Sequence, residues 1–263
     1  MTAESTITII VNADDYGITF GVTKAIVELL DSGCIATSTV MMCALNSEQN
    51  QAPFRSEVDS TRLGLHLQIT GGIPMRRNVT ASFVDPTSGR FRGRESVASA
   101  SPELVLLEWR AQVEAFIELY GHVPSHFDTH HGTHKSPQLL EPYCSLAAEY
   151  GLPVRGAGVP EIDDQIADLG VCHTSAIEDD WTGGADRTEP VQSLLAAVRE
   201  TADRYGSRTI EVVTHPGFVD DELRSISSLS DERAVDYAGL RGFADLCRSS
   251  AGELVLATSY LQS

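Results

Sequence analysis

The chain alternates between short apolar runs and stretches with helical periodicity. The apolar runs are rich in β-branched residues and cover residues 6–13, 35–44, 62–69, 125–129, 153–157, 170–177, 208–214 and 253–258. Such alternation predicts parallel strands joined by right-handed helical crossovers. Seven or eight units of this kind in 263 residues predict an α/β fold, a (β/α) barrel that is irregular or incompletely closed. A doubly wound open sheet is the alternative.

Capping residues predict where the main helices begin and end. Helical patterns cover residues 21–33, 101–121, 136–151, 189–206 and 231–250. Ser101 and Pro102 are typical of a helix start, and Gly33 and Gly121 are typical of a helix end. Pro142 lies inside the third pattern and could move the start of that helix along the chain. No glycine-rich phosphate-binding motif follows any predicted strand, so nothing in the sequence indicates a nucleotide site.

One long segment, residues 71–100, interrupts the alternation after the third apolar run. The segment is rich in Gly, Ser, Pro and Arg. Loops of this length are usually functional lids or lack fixed structure, and we keep both interpretations open. Because no repeat, linker or low-complexity stretch divides the chain, we expect one domain over residues 1–263 with a loop insertion at 71–100.

The composition favours an ordinary globular protein without a polyanionic partner. Hydrophobic residues make up 42% of the chain, and 19 basic residues stand against 37 acidic ones, which gives a net charge of −18. Phosphate backbones and anionic lipids are held by Lys and Arg, so we expect neither nucleic acid nor a membrane as a partner. The first residues lack a signal-peptide pattern and no apolar run approaches about 18 residues, which predicts a cytoplasmic protein. Five scattered cysteines without CxxC spacing predict reduced, mostly buried thiols.

Two adjacent carboxylates close the first apolar run. In the stretch IIVNADDYGI, residues 9–18, Asp14 and Asp15 stand where a buried strand should reach the surface. Like charges repel each other, and burial of a carboxylate without a partner costs several kcal/mol. The sequence therefore predicts a positive partner at this position.

The histidines are concentrated in one short stretch. Five of the eight fall between residues 122 and 134, in the sequence HVPSHFDTHHGTH. His126, Asp128 and His130 would share one face of a strand, so two imidazoles and a carboxylate could converge there. Imidazole suits zinc and other first-row divalent ions, and a carboxylate often completes the ligand set. We therefore favour a metal site over packed core histidines.

Two further histidines follow or lie within other apolar runs. His66 lies on the strand face opposite Leu65 and Leu67, so in a barrel it points inward. A hydrogen-bonded interior histidine is the alternative for His66. His215 follows the run 208–214 and precedes a Pro-Gly turn, and a plain turn residue is the alternative there.

All these polar residues lie near the predicted C-terminal ends of different strands. In a (β/α) barrel those ends form one rim, where active sites are built. Four separate segments contribute candidates to this rim: the Asp14–Asp15 pair, His66, the histidine-rich stretch 126–134 and His215. Their shared location favours a single site. A divalent cation bound by one carboxylate of the Asp pair would supply the missing positive charge, and the other carboxylate would serve as a base.

The motifs together resemble a known family. The stretches NADDYGIT, GLHLQIT, SHFDTHHGTH and EVVTHPG, in this order, and ASFVDPTSGRF within the insertion are similar to the YdjC-like carbohydrate deacetylases, which include the chitooligosaccharide (diacetylchitobiose) deacetylases. The resemblance spans essentially the whole chain. It implies a barrel-like fold that carries one divalent metal ion, held by an aspartate and two histidines.

The resemblance also implies roles for individual residues. It implies Asp15, His66 and His130 as metal ligands, Asp14 as the catalytic base and His215 as a catalytic histidine. From the chemistry of such a site, we expect Asp128, His126 and His134 to contact substrate or to orient the ligand rings. The sequence departs from the family pattern at Gly132, where another histidine or a polar residue often stands.

The implied activity is metal-dependent removal of the N-acetyl group from an amino sugar or a short chitooligosaccharide, with release of acetate. Mg²⁺ or Zn²⁺ is the expected ion, with Mn²⁺ and Co²⁺ as alternatives, and a small N-acetylated sugar is the expected partner. A homodimer is one of the assemblies that the sequence allows. Three alternative functions remain. A non-haem iron oxygenase would use the same ligand types, although nothing in the sequence marks a cosubstrate site. The other two are another metal-dependent hydrolase on the same fold, acting on a phosphate or cyclic amide, and a non-catalytic metal- or sugar-binding protein.

Overall fold

Strands and helices alternate along residues 6–76, 81–181 and 188–261, the ranges that the computed structural model describes. The strands are β1 (Ile7–Tyr16), β2 (Thr37–Val40), β3 (Leu63–Leu67), β4 (Phe127–Thr129), β5 (Val154–Arg155), β6 (His173–Thr174), β7 (Ile177–Glu178), β8 (Thr209–Thr214) and β9 (Leu254–Leu256). The α-helices are α1 (Phe20–Asp31), α2 (Ser47–Gln51), α3 (Pro102–Tyr120), α4 (Pro137–Tyr150), α5 (Pro160–Asp168), α6 (Pro190–Tyr205), α7 (Asp221–Ile226) and α8 (Asp231–Ser249).

The strands form a nearly closed parallel barrel. Their order is β6-β5-β4-β3-β2-β1-β8-β7, and every named pair is parallel. Within the described ranges no pairing joins β6 to β7, which leaves one open seam. The predicted barrel-like fold is confirmed, and the open doubly wound sheet is not the architecture.

Two predicted strands differ from the observed ones. The run 170–177 contains two strands, because a bend at Ala176 separates β6 from β7. The run 253–258 contains β9, which lies outside the ring of eight strands and pairs with the start of β1 from Ile7 to Ile9. Strand β2 pairs with β1 only from Asn12 onward, so the first part of that edge is available to β9.

The five predicted helices are present as α1, α3, α4, α6 and α8. At the start of α3 the Ser101 side chain accepts a hydrogen bond from the Leu104 N–H, and Gly121 ends the helix with a left-handed φ of +80°. Pro142 does not displace α4, which runs from Pro137 through it. The sequence prediction missed α2, α5 and α7, which have only five, nine and six residues and therefore carry little periodicity.

The two faces of β1 have opposite characters. Ile9 and Val11 belong to the main hydrophobic core, together with Val22 of α1. The alternate residues Asn12 and Asp14 face the barrel interior, where the Asn12 amide donates to Asp14 Oδ1 at 2.8 Å. The interior of the barrel is therefore polar along this strand, and the apolar core lies between the strands and the helices.

Parts of the insertion are buried against the rest of the chain, whereas residues 86–90 and 92–95 are exposed. Residues 77–80 lie outside the described ranges. Phe83 is buried, and Val84 pairs with Phe91 in an antiparallel bridge. The buried Glu108 carboxylate of α3 accepts hydrogen bonds from the backbone N–H groups of Met75 and Arg76. These contacts anchor the start of the insertion, and its role as a lid stays a prediction.

The five cysteines are free thiols, four of them buried and Cys172 exposed, as predicted. Among the α-helices of the described ranges, none combines the length and the apolar character needed to cross a bilayer.

Candidate active site

A bulge at the end of β1 aims the two adjacent aspartates at the same place. Asp15 has a left-handed φ of +71°, and the register with β2 shifts between Ala13 and Tyr16. In a regular strand the two side chains would point to opposite faces. Here Asp14 Oδ2 and Asp15 Oδ1 lie 4.0 and 3.5 Å from His66 Nε2. The backbone irregularity thus brings both carboxylates into one site.

His66 is held in a fixed orientation by Asp128. The His66 Nδ1 atom lies 2.6 Å from Asp128 Oδ1, and Asp128 Oδ2 accepts a hydrogen bond from the Thr39 hydroxyl at 2.9 Å. Burial by itself would lower the pKa of His66, but the Asp128 carboxylate, with Asp14 and Asp15, raises it to about 9. Metal binding at Nε2 would therefore displace a proton.

One carboxylate oxygen and two imidazole nitrogens converge beside this ring. Ligand atoms of Asp15, His66 and His130 all lie within 4.8 Å of one another. Asp15 Oδ1, 3.7 Å from His130 Nδ1, is a buried oxygen without a hydrogen-bond partner among the described residues. Burial holds the pKa of His130 well below its ordinary value, so the ring is neutral, as a metal ligand must be. The donor set and the unpartnered oxygen fit a first-row divalent ion.

A second group, formed by Asp14, His66 and Asp128, is equally compact. Its two carboxylates already share a cation, because Arg155 Nη2 lies 2.8 Å from Asp14 Oδ1 and 2.9 Å from Asp128 Oδ2. This arrangement favours the group of Asp15, His66 and His130 as the metal site.

Each aspartate of the pair has its own buried arginine. Arg155 donates to both oxygens of Asp14, and Arg233 donates to Asp15 Oδ2 at 2.6 Å. Burial alone would raise the pKa of each carboxyl, but the two guanidinium groups hold both values well below the ordinary range. The sequence interpretation assigned the balancing charge to a metal ion alone and missed both arginines. A charged residue inside the apolar run 153–157 was the available signal for Arg155.

His215 directly follows β8 and lies close to Asp14. Its Nε2 atom is 3.8 Å from Asp14 Oδ2, and its side chain is 22% exposed. The backbone N–H of His215 donates to Asp236 of α8 at 2.9 Å. The ring is therefore anchored through its backbone and reaches both the cavity and the candidate base.

The other two histidines named from the sequence have mainly structural contacts. Both ring nitrogens of His134 are hydrogen-bonded, to Thr129 Oγ1 at 2.6 Å and to the Gly156 carbonyl at 3.0 Å. His126 is fully buried and packs over Gly64, where a Cβ would lie 2.4 Å from its ring. His126 therefore does not converge with Asp128 and His130, although the three positions alternate along the chain.

A cavity of about 720 Å³ opens at the C-terminal ends of the strands, and its lining includes Asp14, Asp15, His66, His130 and His215. Arg94 of the insertion and Lys135 border one side, and Lys135 is paired with Asp179 at 2.8 Å. The lining also contains apolar side chains, those of Ile18, Met41, Leu45, Ile226 and Leu229. A volume of this size accommodates a small organic molecule.

Comparisons with known proteins identify the family of this chain. A family model described as YdjC-like protein matches residues 8–249. The chain belongs to the YdjC-like family. A carbohydrate deacetylase of Oceanobacillus iheyensis is 34% identical over 236 residues, which are 86% of this chain and 93% of that protein. A chitooligosaccharide deacetylase of Proteus mirabilis is 28% identical over 217 residues, which are 82% of this chain and 83% of that protein.

Solved structures share the fold of this YdjC-like chain. A proposed cellobiose-phosphate cleavage protein of Enterococcus faecalis V583 superposes with a TM-score of 0.82 at 26% identity, and the match covers 96% of this chain and 97% of that one. A CE4 esterase of Streptococcus mutans has a TM-score of 0.50 at 15% identity over 96% of this chain and 86% of that one, a likeness of fold alone. The resemblance drawn from the sequence motifs is confirmed.

The metal assignment predicts different outcomes for two neighbouring histidines. His130→Ala removes a ligand nitrogen, so titration with Zn²⁺ or Co²⁺ should show loss of the bound ion. His134→Ala should keep most of the metal, because both ring nitrogens already have protein partners. It should instead lower the free energy of unfolding in urea by roughly 1 to 3 kcal/mol, since buried groups lose their partners. Equal metal loss in the two variants would contradict the assignment.

Proposed function

We propose that this chain is a metal-dependent carbohydrate N-deacetylase that hydrolyses the N-acetyl group of an amino sugar or short chitooligosaccharide and releases acetate. The observation that carries the proposal is the placement of Asp14 between His66 of the candidate metal site and His215 on one cavity. The names of the carbohydrate and chitooligosaccharide deacetylase relatives support the substrate class.

Asp15, His66 and His130 would hold the ion. A divalent ion bound there supplies a Lewis acid that polarises the acyl carbonyl and lowers the pKa of a water molecule. Two imidazoles among three ligands favour Zn²⁺ or another first-row ion over Mg²⁺, which prefers oxygen ligands. Arg233 occupies Asp15 Oδ2, so this carboxylate offers only its other oxygen.

Asp14 is the proposed base. Its carboxylate is fixed by two hydrogen bonds from Arg155 and one from Asn12, which hold it ionised and in one orientation. An ionised carboxylate beside the site of attack can accept a proton from water as that water adds to the acyl carbon.

His215 is the proposed acid. An amine is a poor leaving group unless its nitrogen gains a proton as the carbon–nitrogen bond breaks. The ring of His215 borders the cavity with its Nε2 atom 3.8 Å from Asp14, and its backbone N–H is anchored by Asp236. The imidazole can therefore deliver a proton to the departing nitrogen.

Acetate release from a panel of N-acetylated mono- and disaccharides tests the proposal. The metal-depleted protein should be inactive on all of them, and addition of Zn²⁺, Mn²⁺, Co²⁺ or Mg²⁺ should restore activity on at least one. Metal binding without acetate release from any sugar would favour the non-catalytic alternative. Hydrolysis of only a phosphate ester or a cyclic amide would favour another hydrolase.

The two aspartates should give separable phenotypes. Asp15→Asn should weaken metal binding, because the variant loses an anionic ligand. Asp14→Asn should keep the metal, since its oxygens face Arg155, and should lower kcat by roughly 10²- to 10⁴-fold, the usual contribution of a positioned general base. Calorimetric metal titration and acetate release on the same samples measure both effects. Exchanged phenotypes would reverse the two roles.

The role of His215 can be tested through the leaving group. His215→Asn should lower amide hydrolysis by roughly 10²- to 10⁴-fold, because the amine must be protonated to depart. An activated acetyl ester such as 4-nitrophenyl acetate needs no such proton, so its hydrolysis by the same variant should fall far less. Equal losses on the ester and the amide would show that His215 does not act as the acid.

A further inference from the structure

The segment after β9 inserts a tyrosine into the end of the barrel. Ala257 N–H donates to the Ile9 carbonyl at 2.8 Å, and Tyr260 packs with Ile10 and Ala36 in a small buried cluster. Ile10 precedes Asn12 and Asp14 on the inward face of β1, so this cluster lies deeper in the barrel than the candidate active site. Tyr260 is 4% exposed and does not line the cavity.

The Tyr260 hydroxyl binds a buried carboxylate. It donates to Glu211 Oε2 at 2.6 Å, and Thr174 Oγ1 donates to the same oxygen. Burial raises the pKa of Tyr260 well above its ordinary value, with Glu211 acting in the same direction, so the hydroxyl keeps its proton. The ring stacks on His126 with centroids 3.7 Å apart, which leaves the hydroxyl little freedom to move.

Glu211 connects the Tyr260 hydroxyl to the active site through Arg155. Its other oxygen, Oε1, accepts from Arg155 Nε at 2.6 Å. The terminal nitrogens of Arg155 hold Asp14 at 2.8 and 3.0 Å. Because a guanidinium is planar and rigid, the partner that fixes Nε also sets the direction of the two terminal nitrogens.

We propose that Tyr260 is a positioning residue for the deacetylation, which fixes Glu211 and, through Glu211 and Arg155, the carboxylate of Asp14. The inference rests on the proposed function, since it needs Asp14 as the base. Without the Tyr260 hydroxyl, Thr174 is the one donor to Glu211 Oε2 that remains among the described residues, and the carboxylate gains freedom to rotate. A shift of Arg155 then moves Asp14 away from the site of attack, and a misplacement of about 1 Å can cost about 10²-fold in rate.

Tyr260→Phe is the direct test, because it keeps the ring and its stacking and removes only the hydroxyl. The expected result is a fall in kcat of roughly 10-fold, below the cost of a 1 Å misplacement, with KM and the metal dissociation constant changed less than about twofold. Tyr205→Phe is the matched control, because its hydroxyl donates to the Gly158 carbonyl at 2.7 Å outside this chain of contacts. Equal kcat in Tyr260→Phe and the control would overturn the proposal.

Two further measurements separate positioning from general destabilisation. In a Glu211→Gln background, Tyr260→Phe should lower kcat no further, because the link is already broken; multiplicative losses would overturn the proposal. Thr174→Val removes the other donor to Glu211 Oε2 and should lower kcat in the same way. This variant tests the same link if Tyr260→Phe or Glu211→Gln fails to fold.

A readout without catalysis distinguishes failure of this inference from failure of the proposed function. The ¹⁵N–¹H signal of Arg155 Nε reports directly on its bond to Glu211 in the full-length protein. Tyr260→Phe should shift this signal and speed its exchange with water, and Tyr205→Phe should do neither. An unchanged Arg155 signal overturns the link even in an active enzyme, and a wild-type protein that releases no acetate overturns the proposed function whatever the signal shows.

Discussion

A single buried guanidinium makes the charged interior of this barrel possible. Arg155 lies within 3.0 Å of carboxylate oxygens of Asp14, Asp128 and Glu211, and none of these side chains is more than 6% exposed. Three confined carboxylates repel one another, and loss of a partner from a buried ion cluster typically costs about 3 to 5 kcal/mol. The three carboxylates therefore share Arg155 as a common cationic partner.

The same interaction couples the two parts of the site. Asp128 orients His66, one of the candidate metal ligands, while Asp14 is the candidate base. Both carboxylates bind one nitrogen of this side chain, because Arg155 Nη2 lies 2.8 Å from Asp14 Oδ1 and 2.9 Å from Asp128 Oδ2. Asp15 has a partner of its own in Arg233 of α8, and its other oxygen, beside the imidazoles, has no hydrogen-bond partner within the described part of the chain. Each of the adjacent like charges is thus neutralised separately.

Much of this arrangement follows from patterns that are local in sequence. The alternation of apolar runs with helical patterns predicted the barrel, because parallel strands need crossovers between them. The rim was predicted because consecutive parallel strands all end on the same side. The inward direction of His66 followed from the two-residue period of a strand, and its ring does reach Asp15. The motifs identified the family across the chain.

By itself, the sequence determined the fold class and the family, and it indicated that Asp14, Asp15, His66, His130 and His215 lie near one rim, because these features depend on periodicity and on short motifs. Only the tertiary structure decided which charges are paired. Asp14 and Arg155 are 141 residues apart, and Asp15 and Arg233 are 218 apart, so nothing local links them. It also decided that His126 stacks on Tyr260 and stays away from the cavity. Such contacts depend on which side chains meet across the barrel interior, and that geometry exists only once the strands have assembled into the barrel.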